Sequence, residues 1–208
     1  MAIRIKICGI TRGEDALTAV RHGANAIGFV FWRQSARYIT PAKAQEIIAA
    51  LPPFVTAVGV YVDPDAEWVK ETSSVAGLHL LQFHGNESPD FCGQFFLPYI
   101  KAVRVRTGVD LIQYATRYGG ARGLLLDTYV EGEPGGTGNV FDWNLIPRNL
   151  PLPLILSGGL QPDNVMEAIR RIRPWAVDVS SGVETAKGIK DTEKIAAFMR
   201  GVRASENL

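Results

Sequence analysis

Cysteine is scarce: the 208-residue chain has only Cys8 and Cys92. Two thiols do not make a disulfide framework, and neither stands in a CxxC or Cys/His spacing suited to a metal ion. Charge of one sign is also missing. Lysine and arginine number 22 against 21 acidic residues, a net charge of +1. That balance argues against nucleic acid as the main partner. No apolar run approaches the roughly 20 residues of a membrane span. The N-terminus opens directly on a strand pattern, without the basic-then-apolar profile of a secretory leader. These absences predict a cytoplasmic protein that does not engage membranes. What is present is apolar substance: 47% of the residues are hydrophobic, enough for one domain over 1–208 with a sizeable core.

Short β-rich runs alternate with helical stretches along the whole chain. The spacing predicts strands at 3–8, 26–31, 55–61, 78–84, 99–105, 123–127, 154–157 and 176–180. Helices are predicted at 14–22, 41–51, 65–75, 88–96, 110–118, 143–146, 162–172 and 191–202. Thr40-Pro41, Asp63-Pro64 and Ser88-Pro89 supply capping side chains and first-turn prolines at helix starts. Strict alternation implies a parallel sheet with helical crossovers. Eight units of roughly 26 residues close most simply as a single-domain (β/α)8, or TIM, barrel near the short end of its range. An open doubly wound sheet is the alternative. Its dinucleotide-binding form needs a GxGxxG turn after the first strand, and Gly9 and Gly13 stand too far apart for that. The glycine-rich stretch 132–138 reads as a mobile loop.

In such a barrel the chemistry gathers at the C-terminal ends of the strands. The polar residues there are Cys8, His84, Asp127, Ser157 and Asp178 through Ser181. Period-two geometry sorts the strand faces. With Cys8 pointing inward, Lys6 does too, while Ile5 and Ile7 meet the helices. Asp178 and Ser180 likewise point inward. Strands one and eight become neighbours on closure, so Lys6 and Asp178 are expected to pair, because a buried charge needs a partner. On this evidence Lys6 reads as a structural barrel residue. Partial burial favours the protonated form of Asp127, which suits a general acid. Cys8 needs a nearby cation or helix N-terminus to act as a base. Ser157-Gly158-Gly159 and Ser180-Ser181-Gly182 end strands seven and eight. Together they suggest a phosphate site built from backbone N–H groups.

The motifs KICGIT (6–11), SARYI (35–39), LQFHG (81–85), LLLDT (124–128), GGTG (135–138), LSGGL (156–160) and VDVSSGVE (177–184) stand in one order. On them the chain resembles the phosphoribosylanthranilate isomerase family over nearly its whole length. The resemblance implies an Amadori rearrangement of an aminoaldose to an aminoketose in tryptophan biosynthesis. It implies Asp127 as general acid and Cys8 as general base, with Arg37 on the anthranilate carboxylate and His84 and Asp178 near the substrate. Phosphate would lie against Gly158, Gly159, Ser180, Ser181 and Gly182. The substrate's own iminium nitrogen is the electron sink, so no cofactor is expected. The partner is a small phosphosugar, and the protein is expected to be a monomer or homodimer. Two related phosphosugar barrels differ at the site. Indole-3-glycerol-phosphate synthase needs a lysine acid, and the histidine-pathway isomerase carries aspartate where this chain has Cys8. A phosphate-binding barrel without catalysis has no need of the Cys8/Asp127 pair.

Overall fold

The computed structural model describes residues 2–128 and 142–206. Eight parallel strands close in sequence order into a barrel. They are β1 (Arg4–Cys8), β2 (Ala26–Val30), β3 (Thr56–Tyr61), β4 (Leu80–Phe83), β5 (Tyr99–Val105), β6 (Leu124–Thr128), β7 (Leu154–Leu156) and β8 (Ala176–Val179). Seven α-helices are seen among the described residues: α1 (Gly13–His22), α2 (Pro41–Ala49), α3 (Ala66–Ala76), α4 (Pro89–Gly93), α5 (Leu111–Arg117), α6 (Val165–Ile172) and α7 (Thr192–Glu206). The TIM-barrel expectation is met. The glycine-rich stretch 132–138, with its GGTG motif, lies outside the described residues.

Capping chemistry explains several helix starts. The Thr40 side chain accepts the Lys43 N–H ahead of Pro41, and Ser88 accepts from Phe91 ahead of Pro89. The third expected cap is corrected: Asp65, not Asp63, caps α3 by accepting from Trp68, so Pro64 lies before the helix, and Asp63 accepts the Asn86 N–H instead. Three elements differ from expectation. The predicted helix 143–146 is a single 3₁₀ turn, Trp143–Leu145, because Pro147 disfavours a helical conformation at Ile146. The helix predicted from residue 162 begins at Val165. Asn164 folds the preceding turn instead, accepting the Gln161 N–H and donating to the Gly159 carbonyl, both at 2.9 Å. An unpredicted antiparallel hairpin, β9 (Glu184–Ala186) with β10 (Ile189–Lys190), follows β8.

The faces sort as alternation requires. Ile5, Ile7, Val177 and Val179 join the large core between barrel and helices, while Ile100, Ala102 and Leu125 form a small cluster inside the barrel. The seam register sets Lys6 opposite Asp178. Their side chains meet at 2.8 Å, Nζ to Oδ2, as expected.

A second buried pair braces the helical side. Lys101 on β5 is fully buried, and its ammonium donates to Glu87 Oε2 at 3.0 Å and to the Phe83 and Gly85 carbonyls at 3.2 and 2.7 Å. Glu87 also accepts the Asp63 and Gly85 N–H groups. One cation thus ties the ends of β3 and β4 to β5. Lys101→Met strands the Glu87 carboxylate in the core, and breaking such a pair costs about 3–5 kcal/mol. Urea unfolding should register a loss of that size. A loss below about 1 kcal/mol would show that the pair does not brace the strands.

Candidate active site

The barrel mouth is one cavity, open at the C-terminal ends of the strands. Cys8, Arg37, His84, Asp127, Gly158, Gly159, Asp178, Ser180 and Ser181 all line it, together with Val30, Trp32, Ser35, Gln82 and Ser157. Of the residues expected at the site only Gly182 is off the wall. It packs behind, and a Cβ there would run into the Leu160 carbonyl. Gly182 therefore lets the β7 and β8 loops touch.

Cys8 ends β1 and is buried beside Val30 and Val60. Burial pushes its thiol up, against the pull of Lys6 and Lys190, while Asp178 adds to the push. Burial would lower the Lys6 ammonium, but Asp178 and Cys8 outweigh it and hold Lys6 above its ordinary value. Gly28 on β2 makes room, since a Cβ there would stand 2.8 Å from the Cys8 sulfur.

Asp127 comes from β6. Its Oδ1 accepts the Thr128 N–H at 2.9 Å, and its Oδ2 lies 3.0 Å from His84 Nε2. His84 Nδ1 is in turn 3.0 Å from the Gln82 amide nitrogen. Gln82 and His84 leave one face of the β4 end, so two alternate positions build a relay that orients the Asp127 carboxyl. Gly158, at φ +82°, abuts this corner. A Cβ on it would approach Asp127 Oδ1 to 3.0 Å, so the glycine serves β6 as well as any ligand.

Arg37 is held rather than free. Its Nε and Nη2 donate to the two Glu184 oxygens at 2.9 and 2.7 Å. Glu184 also accepts from Lys190 Nζ at 2.7 Å, and Lys190 reaches the Ser180 carbonyl at 3.1 Å. Burial pushes Glu184 up, yet the Arg37 hydrogen bond and Lys190 outweigh it and hold the carboxyl below its usual range. Burial pulls Lys190 down, against Glu184. The strand-seven and strand-eight turns carry no lysine or arginine of their own, but the hairpin brings Lys190 beneath the second of them. Gln82, Glu184 and Lys190 were not singled out from sequence. Glu184 closes the VDVSSGVE motif, which was the one available signal.

Among the described residues no group of three or more histidine, cysteine, aspartate or glutamate side chains is arranged to hold a metal ion. The cavity instead offers a thiol, a carboxyl bridged to an imidazole, an oriented guanidinium and two glycine turns. That set suits proton transfer at two atoms of an anionic substrate.

Comparison with known proteins agrees. The profile of the N-(5'phosphoribosyl)anthranilate (PRA) isomerase family matches residues 5–201. An N-(5'-phosphoribosyl)anthranilate isomerase of Nitrosospira multiformis is 76% identical over 208 residues, all of both chains. The crystal structure of phosphoribosyl anthranilate isomerase from Thermotoga maritima superposes with a TM-score of 0.90 at 43% identity, covering 97% of this chain and 99% of that one. A phosphoribosyl anthranilate isomerase in complex with reduced 1-(o-carboxyphenylamino)-1-deoxyribulose 5-phosphate superposes with a TM-score of 0.87 at 42% identity, with the same coverage. With barrel, mouth and relatives in agreement, the chain belongs to the N-(5'-phosphoribosyl)anthranilate isomerase family.

Proposed function

We propose that Cys8 and Asp127 are the general base and general acid of the isomerase reaction. That reaction is the Amadori rearrangement of N-(5-phosphoribosyl)anthranilate to 1-(o-carboxyphenylamino)-1-deoxyribulose 5-phosphate in L-tryptophan biosynthesis. The observation that carries the assignment is that Cys8 and Asp127 line one mouth from β1 and β6, separate strands of the barrel. Asp127 gives its proton to the furanose ring oxygen. The C1–O bond breaks, and the nitrogen lone pair forms an iminium ion. The Cys8 thiolate then takes the C2 proton, and the C–H electron pair moves into the C1–C2 bond as the iminium collapses to an enolamine. Tautomerisation yields the ketone. The electron sink is the substrate's own nitrogen, so this chemistry needs no cofactor.

The remaining roles follow from charge and shape. Arg37 meets the anthranilate carboxylate with Nη1, since Glu184 engages its other two nitrogens and fixes the plane of its fork. His84 steadies Asp127. Asp178 offers its Oδ1, buried and without a hydrogen-bond partner among the described residues, to a sugar hydroxyl. The substrate phosphate binds the β7 and β8 turns through backbone N–H groups, with the Ser180 and Ser181 hydroxyls beside them. One barrel is the whole catalytic domain over 1–208, and every proposed site residue comes from a single chain, which suits a monomer or a homodimer alike. Among the described residues no helix is long and apolar enough to cross a membrane. Both cysteines are unpaired, which fits the reducing cytoplasm.

Cys8→Ser should lower kcat by about 10²–10⁴-fold, because a hydroxyl is far less acidic than a thiol and stays protonated, which leaves no base. Asp127→Asn should lower kcat steeply with little change in substrate affinity, as expected of a group used in the transition state. Steady-state assays on freshly generated substrate check both. Near-parental kcat in Cys8→Ser, or collapsed affinity with intact kcat in Asp127→Asn, would overturn the respective role. Cys92→Ser is the control: Cys92 lies in the core, where burial pushes its thiol up to about 12.

Inorganic phosphate should compete with substrate, and Gly159→Val should raise KM strongly. Gly159 sits at φ +66° on the cavity wall, where a branched side chain is both strained and obstructive. An uncompetitive or absent effect of phosphate at high concentration would remove the phosphate from these turns.

A further inference from the structure

Lys6 and Cys8 leave the same face of β1, one pleat apart. On β2, Gly28 stands opposite Cys8 in the strand register. A Cβ on it would lie 2.8 Å from the Cys8 sulfur and 3.1 Å from Lys6 Cε, so thiol and lysine flank one small space. Across the seam, Lys6 Nζ meets Asp178 Oδ2 at 2.8 Å with both side chains almost fully buried. Asp178 Oδ1 is buried and has no hydrogen-bond partner among the described residues. Barrel closure alone does not require this pair. Apolar residues of similar volume fill such a seam without the desolvation cost of two charges. A seam charge pair directly beneath a buried thiol calls for a reason in the chemistry of the thiol.

We propose that Lys6 is a positioning residue that sustains the Cys8 thiolate, with Asp178 setting how much of the lysine charge the sulfur feels. The proposal rests on Cys8 being the base and explains how it becomes one. The charged groups around Cys8 are Lys6 on β1, Asp178 on β8, Lys190 on β10 with Glu184 on β9, Arg37 after β2, and His84 and Asp127 across the mouth. Lys6 and Asp178 act on the thiol in opposite directions. In the reaction the C2–H bond breaks, an S–H bond forms, and the electron pair goes to the iminium. The sulfur charge vanishes at that moment. Lys6 is not stranded, because Asp178 remains 2.8 Å away. The pair therefore supports the thiolate before the transfer and stays neutral as a unit after it.

The test reads the thiol without turnover. In a Cys92→Ser background, the rate of Cys8 alkylation by iodoacetamide is followed against pH. In Lys6→Met the ascending limb should move to higher pH, lowering the rate near neutrality about tenfold for each unit of displacement. In Asp178→Asn the limb should move to lower pH and the rate near neutrality should rise. Because Lys6→Met leaves the Asp178 carboxylate buried alone, the double variant Lys6→Met/Asp178→Asn is measured as well. Its limb should also lie above that of the parent, since the pull of Lys6 on the thiol outweighs the push of Asp178. A limb unmoved in the double variant, or single variants that shift in the same direction, would overturn the proposal. Turnover of Cys8→Ser separates the two levels. An active Cys8→Ser enzyme refutes the base assignment itself, whereas an inactive one with an unmoved alkylation limb refutes the role of Lys6 alone.

Discussion

The seam between β1 and β8 governs the site. A parallel barrel closes only where its first and last strands meet in register, and here that register sets Lys6 against Asp178. Two buried charges tolerate no other pairing, because a slip of one residue would turn each toward the helices and leave both unpaired. The same period of two carries the consequence upward. Cys8 stands two residues beyond Lys6 and Ser180 two beyond Asp178, so one ion pair fixes the height of the thiol and of the strand-eight turn together. Gly28 completes the arrangement by leaving the space that the lysine and the sulfur share.

Two further chains of polar contacts rise from this floor. On one side, Gln82, His84 and Asp127 connect β4 to β6 through successive 3.0 Å contacts. On the other, Arg37, Glu184 and Lys190 connect the loop after β2 to the β9–β10 hairpin and end on the Ser180 carbonyl. Asp15 on α1 anchors the hairpin from outside by accepting the Lys190 N–H at 3.0 Å. Both chains rely on buried charge or buried amide. They add little stability beyond an apolar filling but fix directions, that of the Asp127 carboxyl on one side and that of the Arg37 fork on the other.

Local signals made the barrel legible, and long-range ones limited how much of the site could be read. Alternating strands and helices specify closure, and period two within β1 and β8 is enough to expect the Lys6–Asp178 pair. Strand ends likewise bring Cys8, His84, Asp127 and Asp178 to one mouth. Arg37 was harder. On its own it reads as a surface arginine, because its partner Glu184 lies 147 residues away on a hairpin too short to show periodicity. Lys190 reaches Ser180 through that same hairpin. Gln82 sits in an apolar strand, where a single amide gives no sign that a histidine two residues on will lean on it. Gly158 and Gly182 looked like openings for a ligand. Their backbones also press against Asp127 and Leu160, a contact between loops that no local pattern records.

The site must satisfy two demands that oppose each other. An iminium ion in open water is at risk of hydrolysis, which would release anthranilate, so the mouth needs dry walls. Dry walls also resist ionisation of a thiol, and burial does push Cys8 up. Exposing the sulfur would ease ionisation and admit water. Fixed cations resolve the conflict, because their attraction strengthens in the same low dielectric that penalises the thiolate. Lys6 from below and Lys190 from the hairpin supply it, and each is balanced by its own carboxylate, Asp178 or Glu184. Neutral pairs of this kind bury two charges at less cost than either charge alone, and Cys8 itself helps Asp178 hold Lys6 above its ordinary value. The carboxylates thus offset the cost of burying the lysines, and the lysines in turn offset the cost of ionising the buried thiol.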